Sequence, residues 1–363
     1  MPESEGRRIN TKAYLAVLAS AAALVLLSAC TAPVSTPEAG PNTGVPAPAA
    51  TPSPLPPLSG VDCSALLSVD DVSTLLGSTV GTVDPNLAAA AGTLDGWLTN
   101  FAIQAAHGAT CVWGQPGTEW TGIGGGETKP VFGLSVLPLA QAAWNSLRPR
   151  SATPGAAYVG GESLEGRCLG DSCSTNVLVG NWWLTADASS PSGAMTERAF
   201  HDAVQNAVTA LAALPEPTAV SVHNAIVDAC STEAYASAVA RSFEVPEAVF
   251  WAGEVGFGLQ SAVRFTTASS GCSYESSLKP YFGMTWAVVI PDGKRLFGEL
   301  AKLARQNPSV TEFGRTPNPE SEYPWFELYA LVGNDWVTVT AHAAPDAERH
   351  CRAFVEWLRA TYA

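Results

Sequence analysis

The sequence predicts an α+β fold made of two tandem copies of one domain, each a mainly antiparallel sheet packed with helices and stabilised by disulfides. The first observation is an internal sequence repeat: the segment LVGNWWLTADA begins at Leu178, and the similar segment LVGNDWVTVTA begins at Leu331. The second is a shared order of helix and strand patterns, and the third is a pair of cysteines at matching places in both copies. At about 150 residues, one copy has the size of a domain and not of a solenoid repeat.

Corresponding landmarks define the two copies. Asn181 and Asn334 are 153 positions apart, whereas Cys63 and Cys230 are 167 positions apart. The separation shrinks along the chain, so the first copy carries extra residues near its start. The alanine-rich segment LAAAAGTLDGWLTNFAIQAAHGA is the predicted insertion. The sequence Leu-Pro-Glu-Pro at 214–217 marks the join, and the predicted domains are residues 60–215 and 218–363.

Each copy begins and ends with a helix pattern. In the first copy, Ser68 and Asp71 fit a capping box, and Gly77 ends the helix. Strands are predicted around TCVWGQ and VFGLSVLPL, and around GCSYES and FGMTWAVVI in the second copy. A middle helix, clearest in GKRLFGELAKLARQ, precedes hairpin strands and a final helix, ERAFHDAVQNAVTALAAL or AERHCRAFVEWLRATYA. This order is typical of an α+β sandwich.

Matched cysteines predict two equivalent disulfides, Cys63–Cys111 and Cys230–Cys272. Each would tie the opening helix to the same strand in its own copy. Each closes a loop of about 40–50 residues, for which the chain-entropy model gives roughly 4 kcal/mol at best. Cysteines in an oxidising compartment are expected to pair where geometry permits.

Three further cysteines lie in the predicted domains. Cys168 and Cys173 are close enough in sequence for a bridge across a turn. Cys351 lies in the last helix and has no counterpart in the first copy. We expect Cys351 to be buried and free, with pairing to another chain as the alternative.

Two Gly-Asn pairs, at 180–181 and 333–334, lie between β-rich segments and predict hairpin turns. A two-residue turn places Leu178 opposite Trp183 and Leu331 opposite Trp336, on the more polar face of each hairpin. The opposite faces read as core and consist of Val177, Val179, Trp182 and Leu184 in the first copy and Phe326, Leu328, Ala330, Val332, Val337 and Val339 in the second. Two interpretations of the Leu–Trp pairs stay open. Either a helix or the other domain covers them, or they form an aromatic binding face for a glycan, lipid or peptide.

The first 29 residues form a predicted secretory signal. Basic residues precede an uncharged apolar run at 13–29, which is shorter than the roughly 20 residues that a membrane span needs. The run ends in Leu-Ser-Ala-Cys, which resembles the lipobox of bacterial lipoproteins. This resemblance implies that Cys30 receives a lipid and becomes the new N-terminus, and a plain secreted protein with an incidental Cys30 is the alternative. Residues 30–59 are rich in proline and predict an extended stalk.

Composition limits the partners. The net charge of −14 argues against electrostatic binding of nucleic acid or of anionic lipid and wall polymer. We expect an extracytoplasmic protein, anchored by lipid to the outer face of the cytoplasmic membrane, with an envelope ligand or a protein as its partner. The abundance of Ala, Gly and Pro is typical of a high-GC actinobacterium.

Motifs for catalysis are weak or missing in the sequence. Ser276 and Lys279 match the Ser-x-x-Lys of penicillin-binding proteins, but the companion motifs are missing and we interpret the match as chance. There is no Gly-x-Ser-x-Gly elbow, and the glycines at 124–126 lack the lysine of a phosphate loop. No two of the five histidines have metal-ligand spacing. We therefore expect neither an enzyme nor a bound metal or cofactor.

The lipobox, the proline-rich stalk, the segment DCSALLSVDDVSTLLG and the later CVW together resemble a family of uncharacterised actinobacterial envelope lipoproteins. Their domain is similar to the extracellular sensor domain of mycobacterial receptor Ser/Thr kinases. The resemblance implies an α+β fold with internal disulfides, here in tandem and without a kinase, and it supplies no catalytic residues. We expect a non-enzymatic ligand-binding or sensor lipoprotein, with a structural or assembly lipoprotein of a larger envelope complex as the alternative.

Overall fold

The computed structural model describes ten stretches of the chain: residues 61–88, 94–118, 129–151, 153–217, 224–251, 257–266, 271–275, 285–316, 325–342 and 346–363. All of them belong to one compact unit, Pro54–Ala363. The predicted signal and stalk, residues 1–29 and 30–59, lie outside the described residues. Within the described stretches, no helix has the length and apolar character needed to cross a bilayer.

In the described residues, the first repeat contains six α-helices and six strands. They are α1 (Cys63–Leu66), α2 (Val69–Leu76), β1 (Gly81–Val83), α3 (Pro85–Ala88), α4 (Leu94–Ala105), β2 (Ala109–Gly114), β3 (Val131–Pro138), α5 (Gln141–Leu147), β4 (Glu162–Leu169), β5 (Ser172–Val179), β6 (Trp182–Ser189) and α6 (Glu197–Ala212). A short 3-10 turn, Arg148–Arg150, directly follows α5. The predicted capping box of α2 is present, and Gly77 ends the helix with a φ of 61°.

The second repeat follows the same order, except that its described residues contain no counterpart of α3. Its elements are α7 (Ala225–Ala229), α8 (Glu233–Ser242), β7 (Val249–Trp251), α9 (Leu259–Thr266), β8 (Gly271–Glu275), β9 (Thr285–Ile290), α10 (Lys294–Leu303), β10 (Glu312–Arg315), β11 (Trp325–Val332), β12 (Asp335–His342) and α11 (Ala347–Tyr362).

The two sheets have the same topology. The strand orders are β1-β2-β3-β6-β5-β4 and β7-β8-β9-β12-β11-β10, and neighbouring strands pair antiparallel throughout. Every strand of one sheet therefore has a counterpart at the same position in the other. The predicted α+β class with two antiparallel sheets is confirmed, and the internal sequence repeat corresponds to a repeated fold.

The predicted insertion in the first repeat is wrong in its extent. Helix α4, which lies inside the alanine-rich segment, has a counterpart in α9 of the second repeat. Thr82 pairs with Trp113 and Phe250 pairs with Tyr274, so the equivalent partners are 31 and 24 positions apart. The extra length is thus seven residues between β1 and β2, and four of them belong to α4, which has 12 residues where α9 has 8. The alanine-rich composition concealed a helix that both repeats need for packing.

Each sheet has an outer face with its own apolar core. In the first repeat, α1, α2 and α6 cover this face, and in the second α7, α8 and α11 do so. The hairpin residues predicted to face the core belong to these two cores: Val177, Val179, Trp182 and Leu184 in the first and Phe326, Leu328, Ala330, Val332, Val337 and Val339 in the second. The period-2 alternation therefore assigned these faces correctly.

A third apolar cluster joins the inner faces of the two sheets, and we call it the shared core. It includes Leu98, Phe101, Leu137, Trp144 and Trp183 of the first repeat and Leu259, Ile290, Phe297, Tyr329 and Trp336 of the second. Helix α9 contacts β3 of the first sheet, and α4 contacts β9 of the second. The repeats thus exchange helix contacts across the shared core and bury both inner faces.

The predicted disulfides are present. Cys63–Cys111 and Cys230–Cys272 occupy equivalent positions, and both have a Cα–Cα distance of 5.5 Å. Cys168–Cys173 joins directly paired residues of β4 and β5.

Cys351 is the free cysteine of the described chain, and it is buried in the core of the second repeat, as expected. Burial raises the pKa of its thiol to about 12, which keeps the thiol protonated and unreactive at neutral pH.

Candidate functional site

The Leu–Trp pairs have the predicted register, because Leu178 pairs with Trp183 and Leu331 with Trp336. They do not form an exposed aromatic face. Both tryptophans are 0% exposed and belong to the shared core. The interpretation that the other domain and helices cover these residues is the one that the structure shows, and an accessible platform at this face is excluded by burial.

Aromatic rings from both repeats cover the two tryptophans. The Trp183 ring lies 4.7 Å from Trp144 and 5.0 Å from Phe257, measured between ring centroids. The Trp336 ring lies 5.3 Å from Phe101 and 6.0 Å from Phe297.

Polar neighbours on the same sheet face satisfy the two indole N–H groups. Trp183 Nε1 donates to Asn176 Oδ1 at 3.0 Å, and Trp336 Nε1 donates to Thr338 Oγ1 at 2.9 Å. The polar residues that made this face look solvent-exposed in the sequence are thus hydrogen-bond partners inside a core.

Several sequence candidates fall outside the described residues. These are the lipidation site Cys30, the Ser276–Lys279 match, the glycines at 124–126 and one of the five histidines, His223. Across the stretches that the structure does describe, no group of three His, Cys, Asp or Glu side chains is arranged to hold a metal ion.

The structure instead shows a pocket at one edge of the second sheet. It has a volume of about 230 Å³ and lies between the end of α10 and strand β10. We call it the α10–β10 pocket. Its lining residues are Leu303, Ala304, Arg305, Gln306, Phe313, Gly314 and Arg315. The site therefore combines an apolar wall with two guanidinium groups.

A buried polar network lies behind this pocket. Arg315 Nε donates to Glu327 Oε2 at 2.8 Å and to the Tyr329 hydroxyl at 3.1 Å. The Tyr329 hydroxyl also donates to the same oxygen of Glu327. Glu327 is only 3% exposed, so its charge requires these partners. Phe313 stacks on Tyr329 with ring centroids 4.9 Å apart, which links the pocket wall to the shared core.

The protonation states of this network suit binding and not proton transfer. Burial, followed by the charge of Glu327, raises the pKa of Tyr329 well above its usual range, so the phenol keeps its hydrogen. Burial alone would lower the pKa of Arg315. The contacts with Tyr329 and Glu327 outweigh it, so the pKa is raised and the guanidinium stays charged. Neither group can serve as a base near neutral pH.

Helix α10 ends in a Schellman motif that positions Arg305 at the pocket. Gln306 N–H donates to Ala301 O at 2.7 Å, and Arg305 N–H donates to Lys302 O at 2.9 Å. Arg305 occupies the left-handed position with a φ of 57°, where glycine is the usual residue. The helix terminus thus fixes the backbone of an exposed arginine at the mouth of the pocket.

Sequence reasoning did not single out this site. Strand alternation places Glu327 and Tyr329 on the more polar hairpin face together with Leu331, but no sequence pattern indicates Arg315 as their partner. One usable signal was a carboxylate on the same strand face as a buried tryptophan, since such a charge needs a cationic partner on a neighbouring strand.

Comparison with family models, curated proteins and solved structures finds no match to this chain.

Proposed function

We propose that this chain is a non-enzymatic binding or sensor lipoprotein, anchored through Cys30 to the outer face of the cytoplasmic membrane. The observation that carries this proposal is the α10–β10 pocket with its buried Arg315–Glu327–Tyr329 network. The network holds a permanent cation and a neutral phenol in fixed positions, which is what recognition requires. Three disulfides in the described chain agree with an oxidising compartment.

The lipid anchor is testable by metabolic labelling. The full chain is expressed in an actinobacterial host that is fed an alkyne-bearing fatty acid. We expect label on the wild type and on Thr31→Ala, and none on Cys30→Ser. Equal labelling of Cys30→Ser would refute the assignment of the anchor.

Ligand binding is testable by native mass spectrometry of the full chain, extracted in mild detergent. We expect a bound molecule on the wild type that Ala304→Trp loses, because a large side chain at this position fills the pocket. Lys302→Trp is the matched control, since Lys302 lies in the last turn of α10, two residues before Ala304, but does not line the pocket. A bare wild-type protein, or a molecule retained by Ala304→Trp, would contradict the proposed site.

A structural or assembly lipoprotein is the second candidate, and two observations favour it. The shared core locks both repeats into one unit, and the pocket is smaller than the roughly 300–1,000 Å³ of small-molecule sites. A protein partner that co-purifies in a fixed ratio and stays bound to Ala304→Trp would support this candidate over the first.

A further inference from the structure

The first repeat covers the edge of its own sheet. Strand β4 is the last strand of that sheet, and the chain just before it runs alongside in an extended conformation. Gly155 N–H donates to Ser163 O at 3.2 Å, and Glu165 N–H donates to Thr153 O at 2.9 Å. Between them, Pro154 faces Leu164 in an antiparallel bridge. The first sheet therefore carries a short additional strand.

Helix α6 holds this covering segment in place. The side-chain amide of Gln205 accepts from Val159 N–H at 2.8 Å and donates to Val159 O at 3.1 Å. The imidazole of His201 hydrogen bonds to Ala157 O at 2.9 Å. These contacts show which kind of occupant this edge accepts, namely an extended polypeptide anchored at its far end.

Strand β10 is the equivalent edge of the second sheet. Leu164 pairs with Asn176, and at the same place in the second repeat Phe313 pairs with Tyr329. Glu312 therefore takes the place of Ser163, and Gly314 takes the place of Glu165.

The connections before the two edges differ in length. Residues 151–161 connect the 3-10 turn to β4, whereas only residues 304–311 connect α10 to β10. No residue of the shorter connection pairs with the outer edge of β10 in the way that Pro154 pairs with Leu164 of β4. The second repeat thus lacks, in its described part, the segment that covers the first.

The backbone groups at this edge have a defined pattern. Leu331 N–H donates to Thr311 O at 2.9 Å, which fixes the alternation of the ladder. Consequently the carbonyl of Glu312 and the N–H of Gly314 point away from β11. Over the stretches that the structure describes, neither group has a backbone partner. They repeat the acceptor and donor that Ser163 and Glu165 present to the covering segment.

We propose that the outer edge of β10 binds an extended, proline-containing peptide segment of a partner protein as an added antiparallel strand. The proposal rests on the proposed binding function and names its ligand class. The partner's residue that corresponds to Pro154 would lie beside Phe313, over the α10–β10 pocket, just as Pro154 lies beside Leu164. This residue needs no N–H, because the bonds are made by its two neighbours.

The size of the pocket agrees with this ligand class. A volume of about 230 Å³ is small for a whole ligand but suits one side chain of an extended segment. Backbone hydrogen bonds along the edge then supply affinity, while the pocket selects the side chain.

A synthetic copy of the covering segment tests the proposal. The probe is the fluorescein-labelled heptapeptide TPGAAYV, residues 153–159, titrated into the full chain by fluorescence anisotropy. The control peptide carries sarcosine at the position of Gly155, which removes the donor N–H and leaves the protein unchanged. Losing this hydrogen bond and placing a methyl group against the edge should weaken binding at least about tenfold.

The location of the peptide is tested by hydrogen exchange. We expect the Gly314 amide to become protected in the complex, and we expect Ala304→Trp but not Lys302→Trp to weaken binding. The proposal is overturned if the peptide does not bind, if the sarcosine peptide binds equally well, or if protection falls on β7, the opposite edge. If the peptide fails but native mass spectrometry still shows a molecule that Ala304→Trp loses, the peptide inference falls and the binding function stands.

Discussion

Replacing Phe101 with alanine should destabilise both repeats together. The Phe101 side chain is 1% exposed in the shared core, and its ring lies 5.3 Å from the Trp336 ring of the other repeat at an angle of 65°. Removing a buried phenylalanine side chain costs about 3–5 kcal/mol. The edge-to-face contact with Trp336 is expected to account for about 0.5–1.5 kcal/mol of that loss.

The assay is urea unfolding of the full chain with its disulfides intact, followed by tryptophan fluorescence and by hydrogen exchange in β3 and β9. We expect one transition, shifted to lower urea, with exchange accelerated in both sheets. A double-mutant cycle with Trp336→Leu, which removes the aromatic ring, should give a coupling energy of about 0.5–1.5 kcal/mol. Val159→Ala is the control, because this side chain is 84% exposed and its truncation should change stability by less than about 0.5 kcal/mol. Two separate transitions, with β9 unaffected by Phe101→Ala, would refute the idea that the shared core couples the repeats.

Three further predictions concern single groups. Arg305→Gly should raise the free energy of unfolding by up to about 1 kcal/mol in urea titrations, because glycine adopts the left-handed conformation without strain; a loss of stability would contradict this. Tyr329→Phe should cost about 1–3 kcal/mol, because buried Glu327 loses a donor, whereas Tyr362→Phe near the surface should be almost neutral in the same assay. The free thiol has a raised pKa in the folded state, so its contribution to stability is complete below pH 9 and is lost as pH rises from 9 toward 12. Wild type should therefore lose up to about 1.4 kcal/mol more per pH unit than Cys351→Ala in this range, and parallel pH profiles would refute this assignment.

Much of each repeat could be predicted from the sequence because the signals are local or internal to the duplication. The register at Leu331 and Trp336 follows from a two-residue turn and the alternation of strand faces. The pairing of Cys63 with Cys111 follows from a matched pair in the other copy. Such inferences need neither a neighbouring domain nor distant contacts.

The arrangement of the repeats could not be predicted in this way. A face with Glu327 and Thr338 looks exposed when it is judged by its own residues, and only the partner repeat makes it a core. The pocket depends on three separate elements, since Arg305 follows a helix, Arg315 ends a strand and Glu327 lies on the next strand. Local periodicity does not report such long-range packing.

The shared core also has a consequence for the order in which the chain is made. Trp336 is synthesised 153 residues after Trp183, and the shared core that contains both side chains is complete only after that. At about 5–20 residues per second, synthesis alone takes roughly 8–30 s to span that interval. During this time the inner face of the first repeat is covered only by its own helices α4 and α5, and the apolar residues that later contact the second repeat are available to other chains. The yield of folded protein should therefore depend more on how quickly the second repeat follows the first, and on any chaperone that covers the incomplete inner face, than on the stability of the finished fold.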